Sequence, residues 1–205
     1  MTTQNMDEAA LIQSARKGDL DSFNSLVLVY QHQVYNLAYR IMGDEAPAAD
    51  ATQNAFISAY KNLKSFRGGS FKSWLLRIVT NACYDDLRRK KRRPAVSLDE
   101  LMNNEDTDVE YDVPSGEDGP ETIAQRHELV DLIQSGITTL PEDQRITLVL
   151  SDVQGLSYEE IADMTRTNLG TVKSRLSRGR AKLREYLQLH GELLPEAYRL
   201  ESDQV

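Results

Sequence analysis

A single cysteine, Cys83, stands in the 205 residues, so no disulfide can close within the chain and no cysteine-built zinc site is available. The three histidines, His32, His127 and His190, lie far apart in sequence, and none has a metal-ligand neighbour at a useful spacing. One acidic run, 106–117, places carboxylates at the first, third, fifth, seventh and twelfth positions of a calcium loop. Tyr111 stands where that loop needs glycine, so no metal is expected. A glycine-rich phosphate loop and a nucleophile elbow are both missing. Asp85 and Asp86 are adjacent carboxylates, but neighbouring helical residues diverge by about 100° and cannot act jointly. Neither catalysis nor a cofactor is expected. Long apolar runs are lacking too: none approaches the roughly 20 residues of a spanning helix. The opening MTTQNMDEAA has neither the basic stretch nor the apolar core of a signal peptide, so a cytoplasmic protein without membrane insertion is expected.

Charge is abundant but unevenly placed. The formal net charge is -8, which by itself argues against a polyanionic partner. Residues 61–93 nevertheless carry eleven basic and two acidic groups, and 166–184 carry seven basic and no acidic ones. Between them, 94–130 holds one basic and eleven acidic groups. Two concentrated basic segments in an acidic chain point to nucleic acid, because local field matters more than net charge. In the free protein, the acidic segments are expected to compete with DNA for the basic faces.

The most informative stretch begins at Gly155 and ends near Leu189. Ser157 and Glu160 have the spacing of a capping box. Ile161, Ala162 and Met164 supply an apolar face, a turn is expected at 165–167, and Thr167 is a candidate cap for a second helix. On that helix Val172, Leu176, Leu183 and Leu187 share one stripe. With Val172 inward, Thr171, Ser174, Ser177 and Arg178 face outward, flanked by Lys173, Arg175, Arg180, Lys182 and Arg184. Hydroxyls and an arginine suit base edges, and flanking cations suit phosphates. A solvated basic helix would look similar, and helix-turn-helix pairs occur outside DNA binding.

The rest of the chain also reads as helical. Helices are expected at 7–17, about 20–42, from Pro47 to about Leu63, at 71–92, at 121–138 and from Pro141 to about Val153. On the third, Phe56, Ala59, Tyr60 and Leu63 form the expected core face, whereas Asp50, Gln53, Asn54 and Ile57 form a separate face, either solvated or docking. The loop SFRGGS leads into the fourth helix, on which Trp74, Leu75, Ile78, Ala82 and Leu87 can face inward. Phe66, Phe71, Trp74 and Tyr84 lie among Lys64, Arg67, Lys72 and Arg77, a mixture that suits a single strand whose bases stack on rings. The run RRKKRR, from Arg88 and Arg89 onward, is either a charged helix end or a phosphate-binding segment.

These motifs together resemble a bacterial RNA polymerase sigma factor of the extracytoplasmic-function group of the sigma-70 superfamily. The resemblance rests on DATQNAF (50–56), FRGGSFKSWLLRIVTNACYDDLRRKKR (66–92), LPEDQR (140–145), GLSYEEIA (155–162) and GTVKSRLSRGRAKLRE (170–185), in this order. It implies an all-α chain of two helical domains: region 2 over 1–93, an acidic linker over 94–120, region 4 over 121–189, and an acidic tail over 190–205. It further implies that Asp50, Gln53, Asn54 and Phe56 dock on the clamp helices of the largest subunit of core RNA polymerase, while region 4 meets the flap of the second largest. Promoter DNA is the other partner. Phe66, Phe71, Lys72, Trp74, Arg77, Asn81, Arg88 and Arg89 are assigned to the minus-ten element and its melting. Arg166, Thr171, Lys173, Ser174, Arg175, Ser177 and Arg178 are assigned to the minus-thirty-five element. An anti-sigma factor that holds the protein inactive is a further implied partner. The family usually has a small residue, often glycine, where Arg166 stands, so a positive φ there would cost about 1 kcal/mol. The rival readings are a helix-turn-helix regulator that leaves the housekeeping sigma factor in place, and an enzyme with a DNA-binding appendage. The first leaves DATQNAF unexplained, and the second lacks a candidate catalytic site.

Overall fold

The computed structural model describes residues 8–92 and 120–190. Apart from Pro120 and His190, the expected acidic linker and tail fall outside the described residues. All regular structure among the described residues is helical: α1 (Glu8–Arg16), α2 (Leu20–Met42), α3 (Glu45–Asn62), α4 (Phe71–Arg92), α5 (Pro120–Thr139), α6 (Glu142–Leu148), α7 (Tyr158–Thr165) and α8 (Leu169–Leu189). Helices α1 to α4 pack as one bundle and α5 to α8 as a second.

In the first bundle, α2 contributes Leu26, Val34, Leu37, Ala38 and Ile41 to the core. The face that α3 buries is a row of alanines, Ala48, Ala51, Ala55 and Ala59, at spacings of three and four. This corrects the expected core face: Ala59 and Leu63 are buried, but Phe56 is only partly so and Tyr60 lies on the surface. Small side chains let α3 approach its neighbours closely, which displaces the larger rings to the edge. Tyr60 packs there on Phe23, with ring centroids 4.9 Å apart. Asp44 caps α3 by accepting from the Ala46 N–H at 3.1 Å, so the helix starts before Pro47, which occupies the first turn where a missing N–H is harmless. Helix α4 packs on both α2 and α3 and therefore buries a wider stripe than expected, with Phe71, Leu75, Leu76, Val79 and Cys83 inward and Trp74, Ile78 and Leu87 at its margins. Burial, helped by Asp86, pushes the Cys83 thiol up to about 12, so it behaves as a small apolar side chain.

The second bundle closes through two glycines. A Cβ at Gly136 of α5 would come within 2.7 Å of Leu183 Cδ1, and one at Gly179 of α8 would lie 3.5 Å from the Gln144 carbonyl oxygen. Helix α6 ends in a widened turn over Val149–Val153, where the Gln154 N–H donates to the Val149 carbonyl at 3.0 Å. Val172 and Leu176 are fully buried as expected, whereas Leu183 is only partly so.

The bundles share one continuous core. Helix α2 ends at Gly43, in the left-handed region with φ 74°, and its N–H donates to the Tyr39 carbonyl at 2.8 Å. Beside this end, Arg145 donates to the Ile41 carbonyl at 2.8 Å and the Leu140 carbonyl at 3.2 Å, and also to the Thr138 carbonyl. Arg40 donates to the buried Gln134 at 2.9 Å. Gly43 has no room for a side chain, since a Cβ would collide with the Thr138 methyl. Gly43→Ala should therefore lower stability by about 2–3 kcal/mol, combining left-handed strain with overpacking. Adding Thr138→Ser should recover the steric share and leave about 1 kcal/mol, read from urea unfolding midpoints.

Candidate nucleic-acid interface

The helix pair α7–α8 is set by three local devices. Ser157 Oγ accepts from the Glu160 N–H at 3.2 Å while Glu160 accepts from the Ser157 N–H at 3.0 Å, completing the capping box. Arg166 ends α7 in the left-handed conformation, φ 53° and ψ 46°. It is the one non-glycine residue with positive φ among those described, so the expected conflict at this position is real. The Thr167 N–H donates back to the Ala162 carbonyl at 2.9 Å, which fixes the turn. Asn168, not Thr167, caps α8, accepting from the Thr171 N–H at 2.7 Å. Thr167 instead shares a hydrogen bond of 2.9 Å with Thr165 across the turn.

On α8, Lys173, Ser177 and Arg178 are exposed, and Thr171 and Ser174 are half-buried. Ser174 donates to the Thr171 carbonyl at 3.0 Å, and Arg178 lies back along its own helix, donating to Ser174 O at 3.2 Å and Oγ at 3.1 Å. The two Arg178 bonds are local and exposed, so releasing them costs little. Arg175 and Arg180 are held more firmly. Arg175 donates to Asp143 at 2.6 Å with only 18% of its side chain exposed. Arg180 grips Asp152 in two bonds of 2.9 and 2.6 Å, and this pairing holds the Asp152 carboxyl below the usual carboxylate range.

On α4 the aromatic expectation divides. Phe66 and Phe71 are core residues, edge to face with centroids 5.6 Å apart, and are not offered to solvent. Trp74 packs on both, at 5.3 and 5.5 Å, and stays half-buried at the surface. Arg77, Asn81, Tyr84 and Arg88 follow on one helix face, with the Arg88 guanidinium 5.6 Å from the Tyr84 ring centre. Arg89 turns aside to Asp86 at 2.6 Å. The loop before α4 runs through Gly68 and Gly69, φ 96° and 90°, with open space around both. On α3, Asp50, Gln53 and Asn54 are exposed beside Ile57, which is 46% exposed, while Phe56 packs against the core from the adjoining edge.

The polar face of α4 meets the second bundle. Helix α7 lies against α4, where Ser73 donates to Glu160 at 2.9 Å and Arg77 pairs with Asp163. Next to this contact a cleft of about 460 Å³ separates Asn81 and Arg88 of α4 from Arg166 and Arg175, with Tyr84 and Asp143 also lining it. The Tyr84 hydroxyl donates to Asp143 at 3.3 Å, and burial together with that carboxylate pushes it up to about 12, so it stays a donor. Asp143 and Asp163 are contributors that the sequence did not single out, and Tyr84 and Glu160, read there as an aromatic among cations and as half of a capping box, gain partners it did not show. Each lies on a helix already recognised, but its partner is 59 to 87 residues away in sequence.

Comparison with known proteins agrees with this organisation. The family description "Sigma-70 region 2" matches residues 26–93, and "Sigma-70, region 4" matches residues 131–183. The chain is 38% identical over 172 residues to the ECF RNA polymerase sigma factor SigE of Mycolicibacterium smegmatis, covering 83% of this chain and 63% of that protein. It is also 38% identical over 192 residues to the RNA polymerase sigma-H factor of Pseudomonas aeruginosa, covering 92% and 97%. In fold it is similar to the sigma factor RpoE of Bartonella quintana, solved in complex with the anti-sigma factor NepR, with a TM-score of 0.62, 24% identity, and coverage of 83% and 99%. The chain therefore belongs to the extracytoplasmic-function group of the sigma-70 family of RNA polymerase sigma factors.

Proposed function

We propose that this protein binds core RNA polymerase in the cytoplasm, directs it to a two-part promoter and melts the minus-ten element, with no catalytic activity of its own. The observation that carries this reading is the pairing of two basic helices, α4 and α8, each in its own bundle and each matched in order to a sigma region. Region 2 is taken as 1–93, the linker as 94–120, region 4 as 121–189 and the tail as 190–205. The exposed face of Asp50, Gln53 and Asn54, with Phe56 supporting it, is assigned to the polymerase clamp helices, and region 4 to the flap. Lys72, Trp74, Arg77, Asn81, Arg88 and Arg89 are assigned to the minus-ten strand. Phe66 and Phe71 serve that site by packing beneath Trp74. Thr171, Ser174, Ser177 and Arg178 are assigned to minus-thirty-five base edges, and Arg166, Lys173 and Arg175 mainly to phosphates. Since the Bartonella quintana relative in fold was solved with an anti-sigma factor, a partner of that kind is part of the proposal.

Run-off transcription with purified core polymerase tests the whole reading: start-site-specific transcripts should depend on the protein, and their absence would overturn it. Asp50→Ala or Gln53→Ala should weaken core binding while leaving the minus-thirty-five preference unchanged, as measured by competition for core and by promoter-variant transcription. Within α8, Arg178→Ala should cost roughly 1–3 kcal/mol and relax the base preference at one position. Lys173→Ala should weaken all sequences alike and reduce the salt dependence of promoter binding by the polymerase complex.

A further inference from the structure

Helix α8 is gripped on both flanks by carboxylates of its own bundle. The buried Val172, Leu176 and Gly179 and the partly buried Leu183 cluster around one direction of the helix, and Arg175 and Arg180 stand about 70° to either side of it. Arg175 donates to Asp143 at 2.6 Å on one side, and Arg180 holds Asp152 through bonds of 2.9 and 2.6 Å on the other. Between them, Gly179 lets α6 come close: a Cβ there would lie 3.5 Å from both the Gln144 carbonyl oxygen and Leu148 Cδ1. A contact through glycine sets the distance between two helices but offers no ridge to stop one from rolling on the other. The widened turn completes the grip. Asp143 and Asp152 are nine residues apart, so a regular α-helix would point them about 180° from each other. The turn over Val149–Val153, closed by the Gln154 N–H on the Val149 carbonyl, takes up one residue more than an α-turn and brings Asp152 back toward α8.

We propose that Asp143 and Asp152 are positioning residues that fix the roll of α8, so that the base preference of the minus-thirty-five reader depends on two side chains that make no contact with bases. This role rests on the assignment of α8 to base edges. Ser177 and Arg178 lie in solvent on the side away from the grip. With side chains reaching about 5–6 Å from the axis, a roll of about 10° moves their tips by about 1 Å. That is enough to break a hydrogen bond to a base edge. The Asp152 pair is the firmer of the two, since a guanidinium held through two bonds fixes direction as well as distance. Arg175, held through one bond to Asp143, keeps donors for the phosphate assigned to it.

The experiment uses full-length protein bound to core polymerase, on a promoter and on copies of it with single base changes in the minus-thirty-five element. Asp152→Asn, which keeps the size of the side chain and removes its charge, should cut the ratio of binding between the promoter and its altered copies roughly fivefold. Its urea unfolding midpoint should stay near that of the unaltered chain. Asp143→Asn, where the carboxylate side chain is 54% exposed, should give a smaller loss of the same kind, so the test stands even if Asp152→Asn folds poorly. If Asp152 did no more than compete with phosphate for Arg180, its neutralisation would tighten binding to every sequence alike and steepen the salt dependence. Such a uniform change, a uniform loss, or retained base preference in both variants would overturn the positioning role. Arg178→Ala is measured alongside. Unchanged preference in that variant would instead overturn the assignment of α8 to base edges, which separates the two outcomes.

Discussion

Arg145 is the constraint on which the arrangement depends. A helix ends with carbonyls that have no partner within it, and two such ends, those of α2 and α5, converge on one guanidinium. A planar fork with several donors can satisfy carbonyls from both directions, which a lysine cannot. Burial pulls the Arg145 pKa down and Glu142 partly opposes that, yet a guanidinium stays charged throughout the range in which proteins fold. A cation set between two negative helix ends joins the bundles at one edge, while the contacts along α4 join them at another. The first edge is half-buried and bonded to backbone, the second exposed and bonded between side chains.

What could be read from the sequence was what repeats along a helix. The capping box at Ser157 and the separate polar face of α3 follow from spacing alone and are in place, and of the outward row expected on α8, Ser177 and Arg178 are exposed while Thr171 and Ser174 are half-buried. Where the reading erred, size or distance decided. A helix face of alanines outranked one with Phe56 and Tyr60, because close helix approach gains more packing than an edge ring. Phe66 and Phe71 looked like a stacking platform because they stand among cations, but a loop that turns into a helix needs an apolar plug, and these rings supply it. Asn168 displaced Thr167 as a cap once Arg166 took the left-handed conformation and shifted the turn by one residue. The contacts between bundles had no signature at all: Arg77 and Asp163 are 86 residues apart, and nothing periodic links them.

The charge pattern acquires meaning from this geometry. Among the described residues, Asp163 pairs with Arg77, Asp143 with Arg175 and Asp152 with Arg180, so carboxylates stand beside three of the cations that a DNA-directed protein carries. Each exposed pair is worth about 0–1 kcal/mol, so the contact between the bundles rests on their continuous core and on Arg145 more than on these pairs.

Helix α8 is at once the proposed reading element and the keel of its bundle. Its inward side, Val172, Leu176 and the side-chain-free Gly179, is fixed by contact with α6 and the rest of the core. Its outward side carries Ser177 and Arg178 in solvent, where replacement leaves the packing untouched. On that proposal, the alphabet of the promoter and the architecture of the domain are written on opposite sides of one cylinder. A lineage can exchange one set of target genes for another by altering three or four outward side chains, without ever passing through an unfolded intermediate sequence.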